Sequence, residues 1–332
     1  MKTLLQSLIE TPSPSGYEAQ IRQVIGNQVA SLADEMYTDA LGNLIVRKGE
    51  GGPQGRKIML SAHMDEIGVM VTHVDENGFV RFTTLGGVRA LNCVGGRVRF
   101  LNGLVGVIGC EKLDDASKVP PFEKLYIDIG VTSRQDCPLR VGDVAAFDRP
   151  LVDLGQRVIA KAMDDRVGCA VLIETLRQLA ETPHRVYFVF STQEEVGLRG
   201  ATTAAFGLDP DLALAVDVTG VGDTPKSHKM EVSLGKGPAI KVRDGGMLSD
   251  PLVIDWMVRA AEKASIPYQL EVLEGGTTDA RAMQITRAGV PAGCLSIPTR
   301  YIHSPSEMVD MDDVQNSVRL LLELLQAPVE LG

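Results

Sequence analysis

Aromatic side chains are scarce, at 5% of 332 residues, and no basic run has aromatics interleaved in it. Few stacking platforms are on offer for nucleobases or sugar rings. Positive charge is short as well: the formal net charge of -10 argues against a nucleic-acid partner or an anionic membrane surface. The five cysteines (Cys93, Cys110, Cys137, Cys169 and Cys294) are odd in number, scattered and without a CxxC pair. That pattern fits free thiols in a reducing cytoplasm, not a disulfide framework. No stretch holds the roughly 18 uninterrupted apolar residues that a membrane helix needs. In "MKTLLQSLIE", Gln6, Ser7 and Glu10 interrupt any apolar signal core. What is present is an ordinary globular composition, 44% apolar and 23% charged, in a chain long enough for two domains or for one domain with an insertion.

The texture changes twice along the chain. Met1–Glu10 and Glu18–Leu32 read as helices separated by the breaker "TPSPSG", and "LGNLIVRK" and "RKIMLSAH" read as strands. From Val69 to Leu151 short alternating runs are punctuated by hairpin signals, "DENG" at Asp75–Gly78 and "LNG" at Leu101–Gly103. Only "SRQDCPL" in that span has the look of a short helix. Beyond Gly155 strands and helices alternate: "RVIAKAMDD", "GCAVLIETLRQLAE", "RVYFVFS", "GLRGATTAAFG", "LALAVDVT", "PLVIDWMVRAAEKAS", "YQLEVLE", "DARAMQITRAG", "AGCLSIP" and "DDVQNSVRLLLELLQA". The expectation is a three-layer α/β domain with a mixed central sheet and a small all-β insertion.

In open α/β sheets, functional groups collect beyond the carboxyl ends of strands. Five apolar runs end in such groups: "IMLSA" in His63 and Asp65, "VIAKAM" in Asp164 and Asp165, "VYFVFSTQ" in Glu194 and Glu195, "LALAV" in Asp217, and "GCLSIPTRYI" in His303. Two imidazoles and this many carboxylates, if they converge, need cations to neutralise them. The donor types suit zinc, cobalt or manganese, and their number suits two ions sharing a carboxylate. Asp65 is placed to anchor the second nitrogen of His63. The adjacent glutamates point in different directions in an extended segment, so one can bind metal while the other faces a water. His73, His184 and His228 read as packing or loop residues, Asp165 and Arg166 as structural, and Met64 as core.

The ordered set H-x-D, D-D, E-E, D, H resembles the co-catalytic di-metal exopeptidases of the MH clan. Asp65 and Asp164 are 99 residues apart, with the β insertion between them. That placement resembles the tetrahedral aminopeptidases, which include glutamyl and deblocking aminopeptidases. "TPSPSGYE", "SAHMDEIGVMV", "KAMDDRVGC", "STQEEVGLRGA", "GGTTDA" and "LSIPTRYIHSPSE" look like that branch, and the likeness covers nearly the whole chain. One departure is Thr277, where relatives often carry glycine. The resemblance implies a discontinuous catalytic domain (1–68 and 152–332) and an inserted PDZ-like β-barrel dimerisation domain (69–151). It implies two divalent ions per subunit, with zinc, cobalt or manganese as the metal. His63 and Asp217 bind one ion, Glu195 and His303 the other, and Asp164 bridges. Asp65 orients His63, and Glu194 is the general base. Thr278 and Asp279 lie on the substrate side, and the Asp164–Asp165 peptide bond is cis. The implied activity is release of N-terminal residues from small peptides, by a cytoplasmic homo-oligomer built from dimers into a tetrahedral dodecamer. A deacylase or carboxypeptidase of the same clan carries its extra domain after the glutamate pair. Relatives also carry an endoglucanase label, but a glycosidase has no need of His63 and His303. A non-enzymatic metal scaffold has no need of Glu194.

Overall fold

The computed structural model describes residues 1–115 and 117–331; Ala116 and Gly332, which the expected barrel and catalytic spans include, lie outside the described residues. Helices α1 (Lys2–Ile9) and α2 (Ala19–Val29) precede strands β1 (Glu35–Thr38), β2 (Leu44–Lys48) and β3 (Lys57–His63). Strands β4 (Gly68–Val74), β5 (Val80–Leu85), β6 (Arg97–Phe100), β7 (Val105–Cys110), β8 (Leu125–Asp128) and β9 (Val144–Phe147) follow as one group. Then come β10 (Val152–Asp153), β11 (Arg157–Ala160), α3 (Met163–Gln178), β12 (Arg185–Ser191), α4 (Arg199–Leu208), β13 (Leu212–Thr219) and β14 (Ala239–Arg243). The last elements are α5 (Pro251–Lys263), β15 (Gln269–Val272), α6 (Asp279–Gln284), β16 (Ala292–Arg300), β17 (Glu307–Asp310) and α7 (Met311–Gln326).

Among the described residues, eleven strands form one mixed sheet in the order β1-β2-β12-β3-β13-β16-β17-β11-β10, with β14 attached at β16 and β15 at β14. Its centre, β12-β3-β13-β16, is parallel. These strands are nearly continuous apolar runs because helices cover both of their faces. On one face α1, α2, α3, α5 and α7 close a large core through Leu5, Ile25, Leu172, Trp256 and Leu321, packed against Leu60, Phe188 and Leu214. On the other, Ala204, Ala205, Ala280 and Met283 of α4 and α6 pack against Met59, Val189 and Ala213. Asp250 caps α5 ahead of Pro251, and Asp310 caps α7 through the Asp312 amide at 3.1 Å. Among the described residues, no helix is long and apolar enough to cross a membrane.

Strands β4-β5-β8-β7-β6-β9 close into a separate six-stranded barrel, which leaves no edge strand open for pairing. It has its own core of Val69, Val71, Phe82, Val98, Phe100, Ile108, Ile127 and Phe147. Asp75–Gly78 turns β4 into β5, and Leu101–Gly103 turns β6 into β7. The run "SRQDCPL" is a series of bends and turns, not the expected helix. It is too short to nucleate one before Pro138, and Ser133 and Asp136 bond each other's side chains instead.

Candidate metal centre

The parallel centre of the sheet aims its carboxyl ends at one place. His63 is the last residue of β3, Asp217 lies near the end of β13, and Glu194 and Glu195 follow β12. Asp164 sits where β11 turns into α3, and the Asp164–Asp165 peptide is cis. His303 follows β16 with a left-handed backbone, φ 60°. Such a backbone costs a non-glycine residue about 1–3 kcal/mol and persists only when its surroundings fix it.

Two donor groups result, His63–Asp164–Asp217 and Asp164–Glu195–His303, each with its ligand atoms within 4.8 Å of one another. Asp164 belongs to both. Its Oδ1 lies 2.9 Å from His63 Nε2, and its Oδ2 lies 3.4 Å from His303 Nε2. Glu195 Oε2 is 3.4 Å from His303 Nε2, and Asp217 Oδ1 is 3.9 Å from His63 Nε2. Glu194 Oε2 stands 3.8 Å from His63 Nε2 without belonging to either group. Buried Glu195 Oε1 has no hydrogen-bond partner among the described residues. An orphaned carboxylate oxygen beside two imidazoles and further carboxylates fits divalent cations.

A surrounding layer of carboxylates holds these donor residues through their backbones. Asp65 accepts hydrogen bonds from the amides of Glu194 (3.0 Å) and Glu195 (3.2 Å) and from the Ser15 hydroxyl (2.5 Å). Asp65 also reaches His63, whose Nδ1 is 3.1 Å from the Asp65 carbonyl and 3.5 Å from its carboxylate. Asp165 accepts from the His63 amide at 3.2 Å. Glu307 accepts from the amides of Asp164 (3.0 Å) and His303 (2.8 Å).

Charge crowding sets the electrostatics. Burial alone would lower the pKa of both imidazoles, but neighbouring carboxylates prevail. Glu194, Asp164 and Asp65 hold His63 well above its ordinary value, and Asp164 and Glu195 push His303 up to about 11. Burial would raise Asp164, yet its hydrogen bonds with His303 and His63 hold it well below the carboxylate range. Glu194 is pushed well up by burial and by the charges of Asp217 and Glu195, against the pull of His63. Burial raises Asp217 and Glu195 as well.

Over residues 42–320 the sequence matches the M42 glutamyl aminopeptidase family. The chain belongs to that family. A putative aminopeptidase of Acetivibrio thermocellus is 48% identical over 329 residues, covering 98% of each chain. The solved structure of an aminopeptidase from the archaeon Desulfurococcus kamchatkensis is 41% identical, with a TM-score of 0.94 over 98% of this chain and 94% of that one. The Pyrococcus horikoshii TET1 peptidase, described as assembling into a tetrahedron or a large octahedral shell, is 34% identical. Its TM-score is 0.89, over 98% of this chain and 99% of that one. As a member of the M42 family the chain is a metal-dependent aminopeptidase, a peptide hydrolase.

The M42 chain keeps a cavity of about 400 Å³ over the donor groups, lined by Thr219, Lys241, Leu273, Thr277, Thr278 and Ile302 among others. Six of the seven acidic and imidazole groups expected at the centre, His63, Asp164, Glu194, Glu195, Asp217 and His303, line it, and the seventh, Asp65, is buried behind them. Thr278 lines the cavity and caps α6 through the Ala280 amide. Asp279, expected on the substrate side, instead lies buried behind the wall, where it accepts hydrogen bonds from Ser61 (2.6 Å) and Ser191 (2.5 Å). Its helical position, one residue past the cap, turns its side chain toward the sheet. Sequence reasoning missed Glu307, Ser15 and Lys241. Glu307 ends the quoted run "LSIPTRYIHSPSE", so the signal was present but unassigned.

Proposed function

We propose that the chain releases single residues from the N-termini of small peptides at a centre of two divalent metal ions per subunit. The observation that carries this reading is Asp164, with one carboxylate oxygen toward His63 and the other toward His303. A carboxylate between two imidazoles, each with a further carboxylate beside it, is built to be shared by two cations. In this reading His63 and Asp217 hold one ion, Glu195 and His303 hold the other, and Asp164 bridges. Imidazole and carboxylate without thiolate suit zinc first, and cobalt or manganese after it.

Bound there, the two ions supply the positive charge that acidifies water and polarises a peptide carbonyl. The remaining work belongs to the chain. Glu194 takes the proton of the attacking water and delivers it to the departing amine. Asp65 holds His63 and the backbone of both glutamates in place, and Thr278 borders the bound peptide. Residues 1–68 and 152–332 act as the catalytic domain, and 69–151 as the barrel through which subunits pair. The likeness to the Pyrococcus horikoshii peptidase, described as forming a tetrahedron or a large octahedral shell, and to a TET1 structure solved as a dodecamer supports assembly into a tetrahedral dodecamer. Five free thiols suit a reducing cytoplasm.

Glu194→Gln tests the reading. The variant keeps both metals, while turnover of aminoacyl anilides falls by the roughly 10²–10⁴ typical of a lost general base. Loss of a metal in this variant, with Glu195→Ala retaining two, would reverse the roles.

A further inference from the structure

The barrel does more than sit beside the catalytic domain, because it presses on one half of the donor set. Gly86 and Gly87 directly follow β5. A Cβ at Gly86 would lie 2.7 Å from Glu195 Oε2, and one at Gly87 would lie 2.5 Å from His303 Cε1 and nearer still to Nδ1. Only the absence of side chains lets this segment approach so closely. Five residues later Asn92 Nδ2 donates to the His303 carbonyl at 3.3 Å. The left-handed backbone of His303 is therefore held from two sides, its amide by Glu307 of the sheet and its carbonyl by Asn92 of the barrel. The segment is itself anchored, since Val88 and Cys93 are buried in the barrel core. Among the described residues, none of the nearest atoms that a Cβ on a barrel glycine would meet belongs to His63 or Asp217. Those two residues come from β3 and β13 of the sheet.

We propose that the Gly86–Asn92 segment of the barrel is a positioning element for Glu195 and His303. The metal position they serve depends on how the barrel is seated, and the His63–Asp217 position does not. The inference rests on the two-metal reading above. Gly86, Gly87 and Asn92 are positioning residues, because they act through Glu195 and His303; Gly87 also borders the cavity, so metal binding and not turnover alone is the readout.

Gly87→Ala is the direct test. The added methyl meets an imidazole, which can swing aside, so the fold survives while the ligand geometry does not. Calorimetric titration of the chelator-stripped oligomer with zinc should find two sites per subunit in the wild type. In Gly87→Ala one site should stay unchanged and the other should weaken at least tenfold, with kcat falling and recovering in part at high zinc. Asn92→Ala should weaken the same site severalfold without placing any atom against a ligand, and it carries the test if Gly87→Ala fails to fold. Gly207→Ala, at an exposed and open helical position, should match the wild type. Two unchanged sites in both Gly87→Ala and Asn92→Ala would overturn the positioning role while leaving the two-metal reading intact. Fewer than two sites in the wild type would overturn the two-metal reading itself.

Discussion

Glu307 is buried and, among the described residues, bonds only backbone, yet it joins two donor residues that are far apart in sequence by accepting from the amides of Asp164 and His303. Glu307→Gln keeps the volume but turns an amino group toward one of those donors. Outer-shell changes of this kind cost about 10–100-fold in metal affinity, and that loss is expected here with the fold retained. Zinc titration beside thermal unfolding checks it, and unchanged affinity would reduce Glu307 to packing. The contrast with the ligands explains what was legible. His63, Asp164, Glu194, Glu195, Asp217 and His303 each close an apolar run, so their convergence follows from how parallel sheets are built. Glu307 follows "SPS" in a loop-like stretch. In sequence, a buried glutamate that accepts from backbone amides looks the same as a solvated one. Asp279 shows the opposite failure: the family resemblance implied the substrate side, and one residue of helical offset turned it inward.

At the scale of elements, the apolar strands and amphipathic helices were readable, and so was β15 despite the buried Glu271 within it, whereas β14 was not. Strand β14 escaped notice because Lys241 stands in its middle. The charge is tolerated there only because Glu271 of β15 pairs with it in the interior. Helix α7 reads clearly, but its first turn hides Asp313, which accepts from the amides of Gly235 and Gly237 at 2.7 Å each. Burial pushes Asp313 up from 3.8 to about 6, with Asp310 and Asp312 adding to the rise. A carboxyl raised in the folded state contributes stability that is fully present below its unfolded pKa and is lost as pH climbs through the folded one. Stability should accordingly fall by about 2–3 kcal/mol between roughly pH 4 and 6 on account of this group. Urea unfolding across that range should show the slope in the wild type and lose it in Asp313→Asn. Equal slopes would mean that Asp313 stays ionised throughout.

The whole molecule joins a sheet that builds the donor set to a barrel that closes over one side of it. The barrel was legible as a change in texture and as hairpin turns at Asp75–Gly78 and Leu101–Gly103. Its contact with Glu195 and His303 was not, because nothing in a local pattern tells which loop of an insertion folds back. If the barrel pairs subunits and the pairs assemble further as proposed, the metal-loaded protein at micromolar concentration should scatter light as a homo-oligomer much larger than a dimer. A monomer under those conditions would contradict that assignment.

The central claim, a centre of two ions bridged by Asp164, is tested most directly by adding zinc stepwise to chelator-stripped protein while turnover of an aminoacyl anilide is followed. The expected result is little activity up to one equivalent per subunit, a rise that completes at two, and no comparable rise in Asp164→Asn at any zinc concentration. Full activity at one equivalent, or an Asp164→Asn variant that binds two ions and turns over like the wild type, would contradict the account.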